Sequence, residues 1–539
     1  ICPVGALTAQ PYRFKARPWD LAQRESTCTT CSVGCRTVIQ SSRDELLRYQ
    51  GVDSDPVNWG WLCDRGRFNF EAVNSDHRLT GPLVKTDNGL ESTVWSAARR
   101  AAASLVTDSL AAGGAESIGL LGGARGSNED AFAWAQLADS IGITHRDAQL
   151  GDGLPSEILG LERATIDDAA NAPTVILLGP DLKEELPVLY LRLRDAAEKQ
   201  RSRIIEFSTV ETGMSPYAWK SVRYEPGTQQ DAAATALDDP AIAEQLAGGD
   251  VVIVAGRPNL AESADATVAA LQTLLDGCPT ARVLPALRRG NVVGALTLGM
   301  APADTDHDGL ATLHAAADGK LELLVLLGAD PLNDCPDADL ARRAVAGARR
   351  VLAIDTFPSE SAQHADVVLA ASAYGEKAGT TTNLEGRVTT LGQQVTATGT
   401  SRPDWMIAVE LGLMIGDRSF GAEHPLRGVS TVEDVTELIA STVPAFATAT
   451  PAALDNAVDG VLTVPEASTL PSVSFSASIA VSESLSWLDT ANKKLITKTL
   501  LQTSVKGLTY VSPTPSPSVS SSTAWITFLT RVTGLPSSS

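Results

Sequence analysis

Cys28-Thr29-Thr30-Cys31-Ser32-Val33-Gly34-Cys35 and, further on, Gly60-Trp61-Leu62-Cys63-Asp64-Arg65-Gly66-Arg67-Phe68 set four cysteines at the spacing C-x2-C-x3-C-x27-C. Four thiolates from one chain are what a cubane iron–sulfur cluster takes, one sulfur per iron. The close trio can wrap one side of a cluster from a single loop. The distant fourth closes the other side and ties two segments together. Gly34 allows a tight turn beside the cluster. Four cysteines also hold structural zinc, but zinc sites tend to present two C-x2-C-like pairs, and here the ligands fall three and one. Ligand pattern favours the cluster over zinc. A disulfide is the third reading, and nothing in the sequence supports it.

Composition narrows the class. A chain of 539 residues is expected to fold as two to four lobes. Hydrophobic residues make up 44% and charged residues 20%, an ordinary globular mix. The net charge of −21 argues against a nucleic-acid partner and offers no basic patch for anionic lipid. No apolar run reaches about 18 residues, so no membrane span is expected. No signal peptide is visible, and a start at Ile1-Cys2-Pro3 is expected to lie inside a larger protein. Five of the 7 cysteines fall within the first 63 residues, a clustered and odd set that reads as cofactor binding in a reducing compartment. Cys278 and Cys335 read as incidental thiols.

Residues 1–21 carry Pro3, Pro11 and Pro18 and read as an extended linker. Residues 22–78 form the cluster domain, with strands at Val38–Gln40 and Leu46–Gln50 joined at Ser42–Asp44. A helix or turn is expected at 66–73. Residues 79–464 form an α/β region. Trp95–Leu110 has helical spacing, and Ile118-Gly119-Leu120-Leu121-Gly122-Gly123 then reads as strand and Gly-rich turn, followed by a helix over Asn128–Ile141. The turn is a weak phosphate signal, since any tight strand–helix junction looks alike. Thr174–Asp181, Ser202–Phe207, Val251–Pro258, Leu321–Pro331 and Arg350–Asp355 repeat the rhythm, with helices over Pro187–Gln200 and Ser263–Leu275. Short apolar strands alternating with helices predict parallel sheets in two Rossmann-like lobes, about 93–225 and 245–400. From 465 to 539 the chain is Ser/Thr/Pro-rich and is expected to be poorly ordered, a composition that an out-of-frame tail would also produce.

The cysteine pattern with Cys63-Asp64-Arg65-Gly66-Arg67-Phe68 resembles the cluster segment that opens molybdopterin oxidoreductases. Cys2-Pro3-Val4-Gly5-Ala6-Leu7-Thr8 and Tyr12-Arg13-Phe14-Lys15-Ala16-Arg17-Pro18-Trp19-Asp20-Leu21 are similar to the large iron–sulfur subunit of bacterial NADH–quinone oxidoreductase, respiratory complex I. The resemblance runs from residue 1 to about 460. It implies a small iron–sulfur domain followed by molybdopterin oxidoreductase-like Rossmann-type lobes. Gly328-Ala329-Asp330-Pro331, Asp355-Thr356-Phe357, Ala365–Ala370 and Glu376–Val388 match that fold in order, and in active relatives such loops face the cofactor.

The resemblance also implies site residues. Cys28, Cys31, Cys35 and Cys63 would hold one 4Fe-4S cluster, off the main electron route in relatives that keep it. Cys2 would be the fourth ligand of a second 4Fe-4S cluster whose other ligands lie upstream; otherwise it is a stray thiol. Arg65 stands where molybdenum enzymes commonly place a lysine between cluster and pterin. A cation there would stabilise the reduced cluster; alternatively Arg65 and Arg67 pair with surface carboxylates. Active enzymes place a Cys, selenocysteine or Ser metal ligand in the segment Thr144–Pro155, which holds neither Cys nor Ser. Its Asp152 reads as a turn residue. No molybdopterin is therefore expected. The 6 scattered histidines suggest no acid–base or nucleophile constellation.

The implied function is an electron-transfer and scaffold subunit of an enzyme that couples NADH oxidation to quinone reduction and proton translocation. NADH and quinone would bind on partner subunits, and the chain would lie in the cytoplasmic peripheral arm of the membrane-bound complex. The alternatives are a molybdopterin-dependent oxidoreductase, such as a formate dehydrogenase subunit, and a structural scaffold that binds zinc or nothing.

Overall fold

A computed structural model describes residues 8–260, 262–416 and 419–471. Cys2 and the residues beyond 471 lie outside them. The Ser/Thr/Pro-rich stretch begins at 465, and of it residues 465–471 are described. Ser468 donates through its backbone N–H to Gly160 O (3.1 Å) and through its hydroxyl to Glu157 O (2.7 Å). Residues 8–21 hold a turn and the 3-10 turn Pro18–Asp20, so the proline-rich entry is less extended than its composition predicts.

The cluster domain is built on the antiparallel sheet β1 (Ala22–Thr27), β2 (Arg36–Ser42) and β3 (Glu45–Gly51). Arg43 and Asp44 join β2 to β3 at φ 54° and 63°, the left-handed pair whose twist suits a two-residue hairpin. β1 is polar and mostly exposed, so it carries no alternating apolar signal. Short helices Asp64–Arg67 and Phe70–Val73 follow Cys63.

Two large sheets follow. The seven-stranded sheet contains β4 (Leu83–Thr86), β5 (Gly89–Ser92), β6 (Ile118–Gly122) and β7 (Arg146–Asp147). The five-stranded sheet holds β8 (Thr174–Leu178), β9 (Arg203–Ser208), β10 (Lys220–Arg223), β11 (Val251–Ala255) and β12 (Arg282–Pro285), all parallel, in the order β10-β9-β8-β11-β12. The chain then returns with β13 (Leu323–Leu327), β14 (Val351–Asp355) and β15 (Val367–Ala370) to complete the first sheet as β5-β4-β15-β14-β13-β6-β7. β15 through β7 are parallel. A third, antiparallel sheet joins β16 (Gly379–Thr382), β17 (Arg387–Leu391) and β18 (Val461–Leu462).

β6, β8, β11 and β13 are buried along their whole length, which is why their sequences are apolar throughout rather than alternating. The helix Asn128–Ile141 starts where Ser127 and Asp130 close a reciprocal capping box. The two lobes are nested, not successive. The boundary expected between 225 and 245 falls between β10 and β11, which share a sheet, and β8 to β12 are inserted between β7 and β13. Ile118 of β6 pairs with Leu323 of β13, and Thr174 of β8 with Val251 of β11. Local pattern marks each strand but not its neighbour, because many similar apolar strands compete for the same edges.

A buried ion pair locks the end of the cluster domain to the α/β region. Arg78 donates from Nη1 and Nη2 to Glu376 Oε1 (3.1 Å) and Oε2 (2.7 Å), with both side chains almost fully enclosed. Arg78 also donates to Val73 O (2.9 Å), and Glu376 accepts from the Ala373 N–H (2.8 Å). Removing one partner leaves an uncompensated buried charge. Arg78→Met is expected to destabilise the chain by about 3–5 kcal/mol. The urea midpoint checks this, and Arg78→Met with Glu376→Leu should recover much of the loss.

Candidate iron–sulfur site and the adjoining cavity

Cys28, Cys31 and Cys35 lie on the loop between β1 and β2, and Cys63 caps the helix Asp64–Arg67. The loop closes on itself where the Cys28 N–H donates to Cys35 O at 2.8 Å. Gly34 takes φ +65°, and a Cβ there would come within 2.7 Å of Asn383 Cβ, so both backbone and space require glycine. Gly66 stands between the two halves of the quartet. A Cβ on it would lie 2.9 Å from Cys28 Sγ and 3.7 Å from Cys63 Sγ. The Gly66 N–H donates to Cys63 Sγ at 3.4 Å, and the Thr30 hydroxyl lies 3.3 Å from Cys28 Sγ.

All four thiols are free of disulfides. Cys28 and Cys35 are buried; Cys31 and Cys63 are half-buried. Burial raises the Cys28, Cys31 and Cys35 thiols, Cys31 to about 12, and the neighbouring sulfurs add to the rise. Arg65 pulls Cys28 and Cys31 back down. Its Nη2 donates to Glu185 O (2.7 Å), and Arg67 Nη2 donates to Leu62 O (3.2 Å). Among the described residues neither arginine forms an ion pair, so the surface-carboxylate alternative finds no partner here.

The end of the inserted lobe and the third sheet hold the loop. Ser32 O accepts the Leu384 N–H (2.8 Å), Val33 O accepts Asn383 Nδ2 (3.1 Å), and the Ser32 hydroxyl donates to Leu287 O (2.6 Å). Gly290 lies so close to Thr29 that a Cβ would sit 2.2 Å from its carbonyl oxygen.

A cavity of about 400 Å³ opens beside Thr29 and Thr30, at the carboxyl ends of β6, β13, β14 and β15. Doubly wound sheets bind ligands at this end. The Gly-rich turn contributes Gly123, Arg125 and Ser127, and three of the segments matched to the molybdopterin fold contribute Gly328, Asp355 and Lys377. Three cations face the cavity, and carboxylates of the chain answer each. Arg125 forks onto Asp334 (2.7 and 2.9 Å), Arg289 meets Asp152 (2.6 Å), and Lys377 bridges Asp130 (2.5 Å) and Asp404 (2.6 Å). Burial lifts the Asp404 carboxyl to about 6 against the pull of Lys377, while Asp130 and Asp404 push the Lys377 ammonium above its ordinary value. The Ser372 hydroxyl, also on the wall, is buried without a hydrogen-bond partner. The Lys377–Asp130–Asp404 group escaped the sequence reading because its members come from three distant segments. The signal available was a lysine inside the Glu376–Val388 motif.

Asp152 is engaged twice: Oδ1 accepts the Leu150 N–H (3.0 Å) and Oδ2 accepts from Arg289. Asp147, nearby, is enclosed. Burial raises its carboxyl to about 7 despite two backbone donors, Gln149 N–H (2.8 Å) and Gly309 N–H (3.0 Å).

The chain belongs to the molybdopterin oxidoreductase family: the family model "Molybdopterin oxidoreductase" matches residues 78–413, and "Molybdopterin oxidoreductase Fe4S4 domain" matches residues 22–75. It is 33% identical over 448 residues to a subunit of the NADH-quinone oxidoreductase of Streptomyces coelicolor, covering 72% of this chain and 52% of that one. It is 27% identical over 534 residues to the alpha subunit of the NADPH-Fe(3+) oxidoreductase of Geobacter sulfurreducens, covering 83% and 61%. The chain therefore spans only about half to three-fifths of the length of these relatives. Acetylene hydratase from Pelobacter acetylenicus shares the fold, with TM-score 0.55 and 13% identity over 73% of this chain and 69% of that one. The expected α/β class with a small Fe4S4 domain ahead of parallel sheets holds. Among the described residues no helix is long and apolar enough to cross a membrane.

Asp147 gives a pH signature. Its pKa rises from 3.8 to about 7 on folding, so its contribution to stability is present below about pH 4 and is lost as pH rises through about 7. The stability difference between wild type and Asp147→Asn, from urea midpoints, is expected to move against the wild type between about pH 5 and about pH 8. A flat difference would contradict the assignment.

Proposed function

We propose that Cys28, Cys31, Cys35 and Cys63 hold one 4Fe-4S cluster, and that the chain is an iron–sulfur electron-transfer and scaffold subunit of NADH–quinone oxidoreductase. The observation that carries this is the quartet itself. Four unbridged sulfurs, three from one loop and one from a second segment, meet across Gly66. The match to the Fe4S4 domain and the likeness to the NADH-quinone oxidoreductase subunit support the same reading.

A bound cluster supplies one-electron transfer at a potential set by burial and hydrogen bonds to its sulfurs. The chain contributes those settings. The Gly66 N–H points at Cys63 Sγ, and the Thr30 hydroxyl is placed to donate to a Cys28 thiolate. Arg65 puts a fixed positive charge beside the quartet, which favours the reduced form. Cys2, outside the described residues, is assigned as one ligand of a second 4Fe-4S cluster. NADH and quinone bind on partner subunits of an assembly at the inner face of the membrane.

The cavity is read as free of molybdopterin. Each cation on its wall is already neutralised by the chain, and Asp152 is held by Arg289. The second reading, a working molybdopterin enzyme such as a formate dehydrogenase subunit, draws on the cavity's place in the fold and the unpaired Ser372 hydroxyl. Stoichiometric molybdenum or tungsten in the purified protein would establish it.

The reduced full chain is expected to show the low-temperature paramagnetic resonance signal of a 4Fe-4S cluster and about four irons per chain. Cys63→Ala should lose both. A silent sample carrying zinc and no iron would sink the proposal. Arg65→Ala is expected to lower the midpoint potential at unchanged iron content; an unmoved potential would remove the tuning role.

A further inference from the structure

The geometry points to a second metal site, remote from the cysteines: we propose that Glu116, His145 and His307 bind a divalent transition metal of the zinc class. Among the described residues this is the one group in which three such side chains bring ligand atoms within 4.8 Å of one another. The residues come from three separate places. Glu116 lies on the 3-10 turn Ala115–Ser117 that feeds β6, His145 directly precedes β7, and His307 precedes the helix Gly309–Ala317. They meet at the amino-terminal edge of the seven-stranded sheet, the end opposite the cavity.

The donor set and its spacing suit zinc. Two imidazoles and a carboxylate are a common zinc ligand set, with bonds of about 2.0–2.2 Å that place tetrahedral donors about 3.3–3.5 Å apart. His307 Nε2 and Glu116 Oε2 are 3.5 Å apart. The two rings lie with centroids 4.7 Å apart at a tilt of 55°. Outer contacts orient the ligands as metal sites require. Asp304 Oδ1 takes His307 Nδ1 at 2.6 Å, which leaves Nε2 turned to Glu116. Thr312 Oγ1 lies 3.4 Å from His145 Nδ1, and the Thr144 hydroxyl donates to Glu116 Oε2 at 2.9 Å. The rings are half-buried and Glu116 is exposed, so a fourth position opens to water. Glu116 and Asp304 bracket the His307 imidazole, and the His145 ring lies against it. A divalent ion uses both rings and clips the segment before Gly309 to the paired strands β6 and β7.

The test uses the full chain, zinc chloride and equilibrium dialysis with elemental analysis. Zinc taken by the cysteines is the same in wild type and variants, so the difference isolates this site and does not depend on the cluster reading. The wild type is expected to bind one more zinc than His145→Ala or His307→Ala, and to gain unfolding temperature with zinc where they do not. Glu116→Gln, an exposed and conservative change, should weaken that zinc at least tenfold. Asp304→Asn, which alters a positioning residue only, should weaken it about 10- to 100-fold. Equal zinc binding in wild type, His307→Ala and Glu116→Gln, or no rise in wild-type unfolding temperature with zinc, would overturn the proposal. If an alanine variant misfolds, Glu116→Gln decides alone.

Discussion

The docking of the Cys28–Cys35 loop is the constraint on which the rest of the molecule depends. A loop that turns three sulfurs inward must turn its backbone polar groups outward, and a buried carbonyl without a donor is costly. Here the donors come from far along the chain. Leu384 and Asn383 satisfy Ser32 and Val33, and Leu287 receives the Ser32 hydroxyl. The loop therefore holds its shape only when the third sheet and the end of the inserted lobe are in place. Arg78 and Glu376 extend the same lock to the far end of the cluster domain.

That lock sets the cluster domain against the carboxyl edge of the seven-stranded sheet and creates the cavity between them. The fold would carry a ligand there, yet the wall is electrostatically closed on itself. Arg125, Arg289 and Lys377 each spend their charge on Asp334, Asp152, Asp130 or Asp404. The family architecture keeps its layers, and internal ion pairs engage the cations of this wall. In this reading the large α/β region contributes rigidity and contact surface, and the redox chemistry is left to the small domain.

The fold's elements were largely legible in the sequence. The helix Asn128–Ile141 begins and ends where its capping pattern and periodicity place it, and fully buried strands such as β8 and β11 announce themselves as unbroken apolar runs. β1 did not, because an exposed polar strand is defined by its partner rather than by its own residues. The nesting of the lobes did not either, since Thr174 could pair with any of several similar strands until packing chose Val251.

By itself the sequence determined the chemistry on offer: four thiols at cluster spacing, a glycine where the loop must reverse, and no cysteine or serine in Thr144–Pro155. These are local properties, carried by side-chain type and short spacing. Only the tertiary structure decided what those groups meet. It set Arg65 against Glu185, gave Asp152 to Arg289, enclosed Lys377 between two aspartates, and brought His145 beside His307 across the edge of a sheet. Such meetings depend on which strands become neighbours, and strand pairing is settled by the burial of whole faces rather than by any short run of residues.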